Sequence, residues 1–340
     1  MIQIFGKLPT GEILSRVKQT ANYRDNSFEN LSYTPMMAEG TSFSKMMRDF
    51  INKPKSAVPS YVLPSVTTNL NNLPDASPAI VWFGHSSYLI KMNNQHILVD
   101  PVFSGNASPL SFMIPAFKGT NAYGVNEMPA IDILVITHDH YDHLDYKTIK
   151  QLQSKVKLVV CSLGVAAHLK YWGYDEKIIT ELYWGESAIM GEGLKFTAAS
   201  ARHFSGRGLV RNRSLWSSFI VQSATHQIYI GGDSGYDTHF KAIGEWFGEF
   251  DLAILECGQY NTAWKYIHMM PEETVQASID LNAKLLLPVH WGKFSLSLHP
   301  WNESVMRAHA HATLLNVNIT SPKIGEVLLL GETPPTEKWW

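Results

Sequence analysis

The stretch Thr137-His138-Asp139-His140-Tyr141-Asp142-His143 crowds three histidines and the carboxylate of Asp142 into about two turns' worth of chain. Imidazole nitrogen and carboxylate oxygen both suit zinc. The alternation lets His138 and His140 reach one ion while Asp142 and His143 turn toward a second, so the segment offers half of a two-metal site. A solvated, histidine-rich loop is the plainer alternative, and the flanking sequence argues against it. The preceding Ile131-Asp132-Ile133-Leu134-Val135-Ile136 is a short run rich in β-branched residues and reads as a buried parallel strand. That puts the histidines at a strand's C-terminal end, where open α/β sheets bind their ligands.

A two-metal site needs further ligands from other strand ends, and three positions qualify. His203 follows the strand-like run 194–199, Asp233 ends Ile228-Tyr229-Ile230-Gly231-Gly232, and His290 ends Leu285-Leu286-Leu287-Pro288-Val289. A lone histidine after a strand is more often a hydrogen-bonded structural residue, but three such positions beside the cluster reverse that reading. Downstream of His203, the loop carrying Arg207, Arg211 and Arg213, together with Arg202, could clamp a phosphate through bidentate hydrogen bonds. A solvated surface loop is the competing reading.

The elements that would hold these residues alternate along most of the chain. Runs 79–83, 87–92 and 96–100 read as short strands joined at Gly84 and Asn93-Asn94. A helix over 146–155 follows the cluster, with Asp145 as its N-cap. Then come a strand at 156–161, a helix near 163–172 ended by Gly173, and strands at 194–199, 214–222 and 226–231. The last third reads as strand 252–255, helix 271–281, strand 284–289, helix 302–312 and a strand near 327–330. Antiparallel strands mixed with βα units predict an α/β sandwich in which helices cover two facing sheets. Residues 1–77 are polar and proline-punctuated, yet rich in aromatics, and read as an N-terminal extension that packs on the main domain of residues 78–340, with one helix near 43–51.

Bulk properties set limits on function. The 340 residues are 45% hydrophobic and 17% charged, with a net charge of -2, which gives no reason to expect nucleic acid as a partner. Cys161 and Cys257 each follow an apolar strand-like run and read as buried free thiols rather than a disulfide framework. The opening residues lack the charged start and cleavage site of a signal peptide, and no apolar run is long enough to span a bilayer. The expectation is a cytoplasmic protein with at most peripheral membrane contact; assembly into a homo-oligomer stays open.

With its His-x-His-x-Asp-His pattern at His138, His140, Asp142 and His143, the chain resembles the metallo-β-lactamase superfamily. More narrowly, it resembles the N-acyl-phosphatidylethanolamine-hydrolysing phospholipase D group. The matching pieces are Trp82-Phe83-Gly84-His85-Ser86-Ser87, Asp100-Pro101-Val102-Phe103-Ser104, 138–145, Gly232-Asp233-Ser234-Gly235-Tyr236, Pro271-Glu272-Glu273 and His290-Trp291-Gly292. The resemblance implies a four-layer αβ/βα sandwich and two zinc ions, with iron or manganese left open. It puts His138, His140 and His203 on one ion, Asp142, His143 and His290 on the other, and Asp233 between them as a bridging carboxylate. Asp100 would orient a ligating histidine from behind, and His85 would lie near the site.

The implied activity is hydrolysis of a small-molecule or lipid phosphodiester by a hydroxide that bridges the metals, with Asp233, Asp142 and His268 given to catalysis. Asp233 would accept the proton afterwards, and His268, in the partly matching Trp264-Lys265-Tyr266-Ile267-His268, would touch substrate. Two departures stand out. Leu255-Glu256-Cys257-Gly258-Gln259-Tyr260 places a carboxylate near the expected pocket, making Glu256 and Tyr260 substrate candidates beside Arg207 and His268. Met270 stands where an acidic helix cap is expected before Pro271, which should weaken that helix. Lipid use predicts an exposed apolar patch beside the metals, with Trp264, Tyr266 and Trp301 as candidates. The same centre would also open a lactone or cleave another ester or amide, and a non-catalytic metal-binding sensor or scaffold is the remaining alternative.

Overall fold

A computed structural model describes residues 3–110 and 112–340. Met1 and Ile2, which open the stretch read for a signal peptide, lie outside the described residues. The chain begins with α1 (Gly11–Lys18), a short ribbon of β1 (Tyr23–Arg24) and β2 (Ser27–Phe28), and α2 (Phe43–Ile51). It continues through β3 (Ala79–Trp82), β4 (Tyr88–Met92), β5 (Gln95–Val99), β6 (Ile131–Ile136), α3 (Tyr146–Leu152), β7 (Val156–Ser162), α4 (Ala166–Tyr171) and β8 (Ile179–Leu182). Next come β9 (Ser187–Met190), β10 (Leu194–Ala199), β11 (Ser218–Gln222), β12 (Gln227–Ile230), α5 (His239–Phe247), β13 (Leu252–Glu256), α6 (Pro271–Asp280), β14 (Leu286–Val289), α7 (Glu303–Leu315) and β15 (Val327–Leu329).

The strands form two large mixed sheets. One runs β15-β3-β4-β5-β6-β7-β8 and the other β14-β13-β12-β11-β10-β9. Side-chain alternation then decides the layers. In β12 and β13, Ile228, Ile230, Leu252 and Ile254 point into a core shared with the first sheet, while Tyr229, Ala253 and Leu255 pack against Phe240, Val275, Ala277 and Ala308 of α5, α6 and α7. On the other side, Ile149, Leu152, Ala166 and Leu169 of α3 and α4 close over the first sheet's core. The result is the four-layer sandwich of helices, sheet, sheet and helices.

Strand direction positions the site. β5 through β8 are parallel, as are β12 through β14, so the chain leaves β5, β6, β12 and β14 at Asp100, Thr137, Gly231 and His290 on one edge of the sandwich. Gly232, at φ +61°, allows the end of β12 to close on β6: a Cβ there would stand 3.0 Å from Thr137 Cβ and 3.1 Å from Ser217 O. Parts of residues 3–77 lie against these layers, with Leu63, Leu70 and Leu73 in the large core and Val17 and Phe28 packed on Leu215 and Trp216.

Several expected bounds move. Residues 214–217 are not strand: Ser217 N donates to Thr137 O and Ser214 Oγ to Asp139 Oδ2, so this segment braces the histidine loop instead of joining a ladder. Helices α1 and α5 and strands β8 and β9 have no counterpart among the elements expected from the sequence, although both helices carry an apolar face. The cap before Pro271 is also less bare than Met270 suggests, because Glu273 reaches back to accept from Met270 N at 2.8 Å. Among the described residues, no helix is long and apolar enough to cross a membrane.

Candidate metal centre

All seven residues read as ligands converge at this edge. One group holds His138, His140, His203 and Asp233, and a second holds Asp142, His143 and His290 together with His85; within each group one ligand atom per residue lies within 4.8 Å of the others. Asp233 stands between the groups. Its Oδ2 faces His203 Nε2 at 3.6 Å and His138 Nε2 at 3.8 Å, while its Oδ1 faces His143 Nε2 at 3.1 Å and His290 Nδ1 at 3.2 Å.

Hydrogen bonds behind the rings fix which nitrogen faces inward. His203 Nδ1 donates to Ile267 O at 2.8 Å, and His143 Nδ1 donates to Asp100 Oδ2 at 2.8 Å, so each ring turns Nε2 to the centre. Asp100 is wholly buried and also accepts from Thr137 N at 2.9 Å and Thr137 Oγ1 at 2.5 Å; that hydroxyl in turn lies 3.1 Å from His138 Nδ1. His85 Nε2 sits 2.9 Å from Asp142 Oδ2, and Ser86 Oγ 2.9 Å from His290 Nδ1.

The donor set fits cations. Asp100, Asp142 and Asp233 are buried, and among the described residues their ionic partners are all histidines, an arrangement that is costly unless positive charge is present. His143 Nε2 and Asp233 Oδ1 are both buried and lack a hydrogen bond of proper geometry although they face each other. His140 Nδ1 faces two ring nitrogens, His138 Nε2 at 2.9 Å and His203 Nε2 at 3.2 Å, and its single proton cannot serve both. Burial holds His138, His203 and His290 well below the ordinary histidine range, which keeps them in the neutral form that ligates. His143 is the exception: burial would lower it, but the carboxylates of Asp233, Asp142 and Asp100 hold it well above that range. Burial would raise Asp233 and Asp142, yet the neighbouring histidines, His143 foremost, keep both ionised.

A cavity of about 500 Å³ opens above this cluster. Its floor is His140, Asp142, His203, Asp233, His268 and His290; its walls include Met36, Met37, Met46, Phe50, Phe204, Trp264 and Leu296, with Arg211 and Gln259 among the polar members. The first four of these wall residues come from the segment 36–50, and sequence missed them: only the apolar stripe of α2 hinted that it covers something. A separate cavity of about 430 Å³, walled by Trp184, Arg202 and Trp246, holds none of the metal-facing residues.

Other candidates land elsewhere. Arg207 is buried, and its guanidinium donates to Asp139 O and Leu144 O, each at 2.7 Å, and to Ile4 O at 2.9 Å, with its face over Tyr141 and Trp172. It braces the histidine loop from behind rather than clamping a phosphate. Arg202 turns to Asp237, Tyr33 O and Tyr236 O, and Arg213 to the Tyr23 hydroxyl. Tyr260 bonds Glu303 and Arg307 through its hydroxyl and does not line the cavity. Glu256 is wholly buried and does not reach substrate space either. Trp301 packs among Trp291 and Trp339 in place of an exposed patch, while Trp264 does face the cavity. Both cysteines are buried free thiols.

The family model described as Beta-lactamase superfamily domain matches residues 95–291. An uncharacterized protein of Mycobacterium tuberculosis is 37% identical over 328 residues, covering 95% of this chain and 88% of that protein. N-acyl-phosphatidylethanolamine-hydrolyzing phospholipase D 1 of Caenorhabditis elegans is 31% identical over 264 residues, 72% of this chain and 74% of that one. Among solved structures, Igni18, a metallo hydrolase of Ignicoccus hospitalis, shares the fold with a TM-score of 0.57 and 18% identity, covering 76% of this chain and 100% of that chain.

Proposed function

Because the chain belongs to the beta-lactamase superfamily and is a metal-dependent hydrolase of it, we propose that it holds two zinc ions and cleaves a phosphodiester that bears apolar chains, of the N-acyl-phosphatidylethanolamine kind. The observation that carries this reading is Arg211. Of the four arginines in and around the loop after His203, it alone lines the cavity of about 500 Å³, and it also lines a neighbouring one that reaches His140 and Asp142, where Arg207 is tied to backbone carbonyls; its guanidinium lies over the Phe204 ring at 5.3 Å, and among the described residues no carboxylate pairs with it. An unpaired guanidinium beside a cation site fits a substrate anion such as a phosphate.

Histidine-rich ligation without cysteine favours zinc. When bound, the zinc pair supplies Lewis acidity toward a phosphoryl oxygen and lowers the pKa of water from about 15.7 to about 7. His138, His140 and His203 would hold one ion, Asp142, His143 and His290 the other, and Asp233 would touch both. Asp233, facing both groups, would take the proton released as water adds to phosphorus and pass it to the alcohol oxygen that leaves as its P–O bond breaks. Arg211 would hold a non-bridging oxygen, and the Met36, Met46, Phe50 and Trp264 walls would hold the apolar chains and exclude water. Residues 1–77 thus serve the hydrolase domain as part of its pocket, not as a module of their own.

Metal analysis of the purified protein, with assays on bis(p-nitrophenyl) phosphate and on micellar N-acyl-phosphatidylethanolamine, tests the reading. Turnover of both, lost in Asp233→Asn and His140→Ala, is expected. Lactone turnover without phosphodiester turnover would overturn it in favour of acyl chemistry, and a metal-replete protein inert to both classes would favour a sensor.

A further inference from the structure

Glu256 closes β13 as a wholly buried carboxylate, and among the described residues no lysine or arginine pairs with it. Its Oε1 accepts from Met269 N at 2.7 Å, and its Oε2 lies 3.4 Å from His268 Nδ1. Between the two residues the chain makes a loop that passes over the metal-facing edge. A Cβ on Gly258 would meet His290 O at 2.1 Å, and Ile267 O takes the Nδ1 proton of His203, so both ends of the loop are pinned to ligand residues. The His268 ring stacks on His290 at 5.2 Å, lies 5.0 Å from His203 and lines the cavity; its Nε2 has no hydrogen-bond partner among the described residues. A buried carboxylate kept for packing alone would be a poor choice, since its desolvation is offset only by one backbone N–H and one imidazole. Set behind a ring that faces substrate space, it has a use.

We propose that Glu256 is a positioning residue that acts through His268: by holding Nδ1 it turns Nε2 into the cavity, where that atom meets an oxygen of the bound phosphodiester. The assignment rests on the phosphodiesterase reading above. The 3.4 Å separation is long for a hydrogen bond and is the kind that shortens when substrate fills the site. Glu256 itself stays out of contact with substrate, which corrects its sequence-based placement in the pocket.

The test is a double-mutant cycle on bis(p-nitrophenyl) phosphate, with metal content and melting temperature recorded for each variant. Glu256→Leu should lower kcat by about tenfold or more while KM stays within about threefold, and Glu256→Gln, which keeps the Met269 N bond but presents its NH2 to Nδ1 where the carboxylate accepts, should also fall below wild type. The combined Glu256→Leu and His268→Ala variant should be no slower than His268→Ala alone, an outcome that a purely structural role of Glu256 would not produce. Losses that add, or Glu256→Leu as active as the wild type, would overturn the pairing. Loss of metal from His268→Ala would overturn it as well, by making that ring a ligand. A wild-type protein inert toward every phosphodiester would instead sink the reading of the preceding section.

Discussion

His143 and Asp100 form a buried pair, Nδ1 to Oδ2 at 2.8 Å, in which Asp100 also takes the backbone N–H and the hydroxyl of Thr137. One carboxylate thereby fixes the ring of one metal-facing histidine and, through Thr137, the backbone that presents His138. Replacing Asp100 by Asn keeps the volume but removes the charge that holds His143 Nε2 as a basic lone pair. Asp100→Asn should weaken metal binding about 10- to 100-fold, read by competition with a chromogenic chelator. Unchanged affinity would mean that Asp100 serves only the turn before Pro101.

Removing the metals should destabilise the fold. Three buried carboxylates share the cluster with His143 as the one histidine held well above the ordinary range, and a cation bound only to the native state adds stability by mass action. At free metal about 1,000-fold above its dissociation constant the gain is about 4 kcal/mol, or a melting shift on the order of 5 to 10 °C for a chain of this size. Calorimetry before and after chelation and re-addition measures it; an identical melting curve would show that the cluster tolerates its own charge.

Two arginines four residues apart should fail in opposite ways. Arg211→Ala, at the cavity rim, should raise KM for an anionic phosphodiester about tenfold with little change in melting temperature. Arg207→Ala should leave three carbonyls without their donor and cost about 3 kcal/mol of stability, seen as a lower denaturation midpoint. A swap of these outcomes would reverse the roles given to the two side chains.

Lys293 supplies a pH dependence. It is buried, donates to Phe83 O at 3.2 Å and Val102 O at 3.0 Å, and burial pushes its pKa down from 10.5 to about 7. Between pH 7 and 10.5 the unfolded chain therefore holds this proton while the folded one has released it, so its contribution to stability rises with pH across that window and is flat below it. Relative to Lys293→Met, the wild type should gain on the order of 2 kcal/mol from pH 7 to pH 9, measured by urea denaturation at each pH. Parallel stability profiles would show that the amine stays protonated in the fold.

The convergence of the residues proposed as ligands was legible because each follows a short apolar run that reads as a buried strand, and strand ends gather at one edge of a parallel sheet. Side-chain direction in loops was not. Nothing in the spacing of Arg207 and Arg211 tells that one reaches back to the Ile4 carbonyl while the other faces the cavity, because a loop imposes no period on its side chains. The apolar walls from Met36 to Phe50 were hidden for a related reason: their partners, Trp264 and Leu296, lie more than two hundred residues away, and local pattern does not report such contacts. The helix over 239–247 was passed over because its apolar face is interrupted by Gly244, whose missing Cβ leaves room for Asp280 O.

At the edge where the sheets meet, His290 N donates to His85 O at 3.0 Å and His85 N to Trp291 O at 2.9 Å, which laces the turn after β3 to the end of β14. Neither sheet owns the whole of the proposed ligand set: the loop after β6 carries His138, His140, Asp142 and His143, and the strand ends of the opposite sheet carry His203, Asp233 and His290. Metal affinity is therefore a gauge of how the two halves of the molecule are registered. A substitution far from the cluster that slides one layer by a fraction of an ångström would loosen a cation bound there before it disturbed any strand.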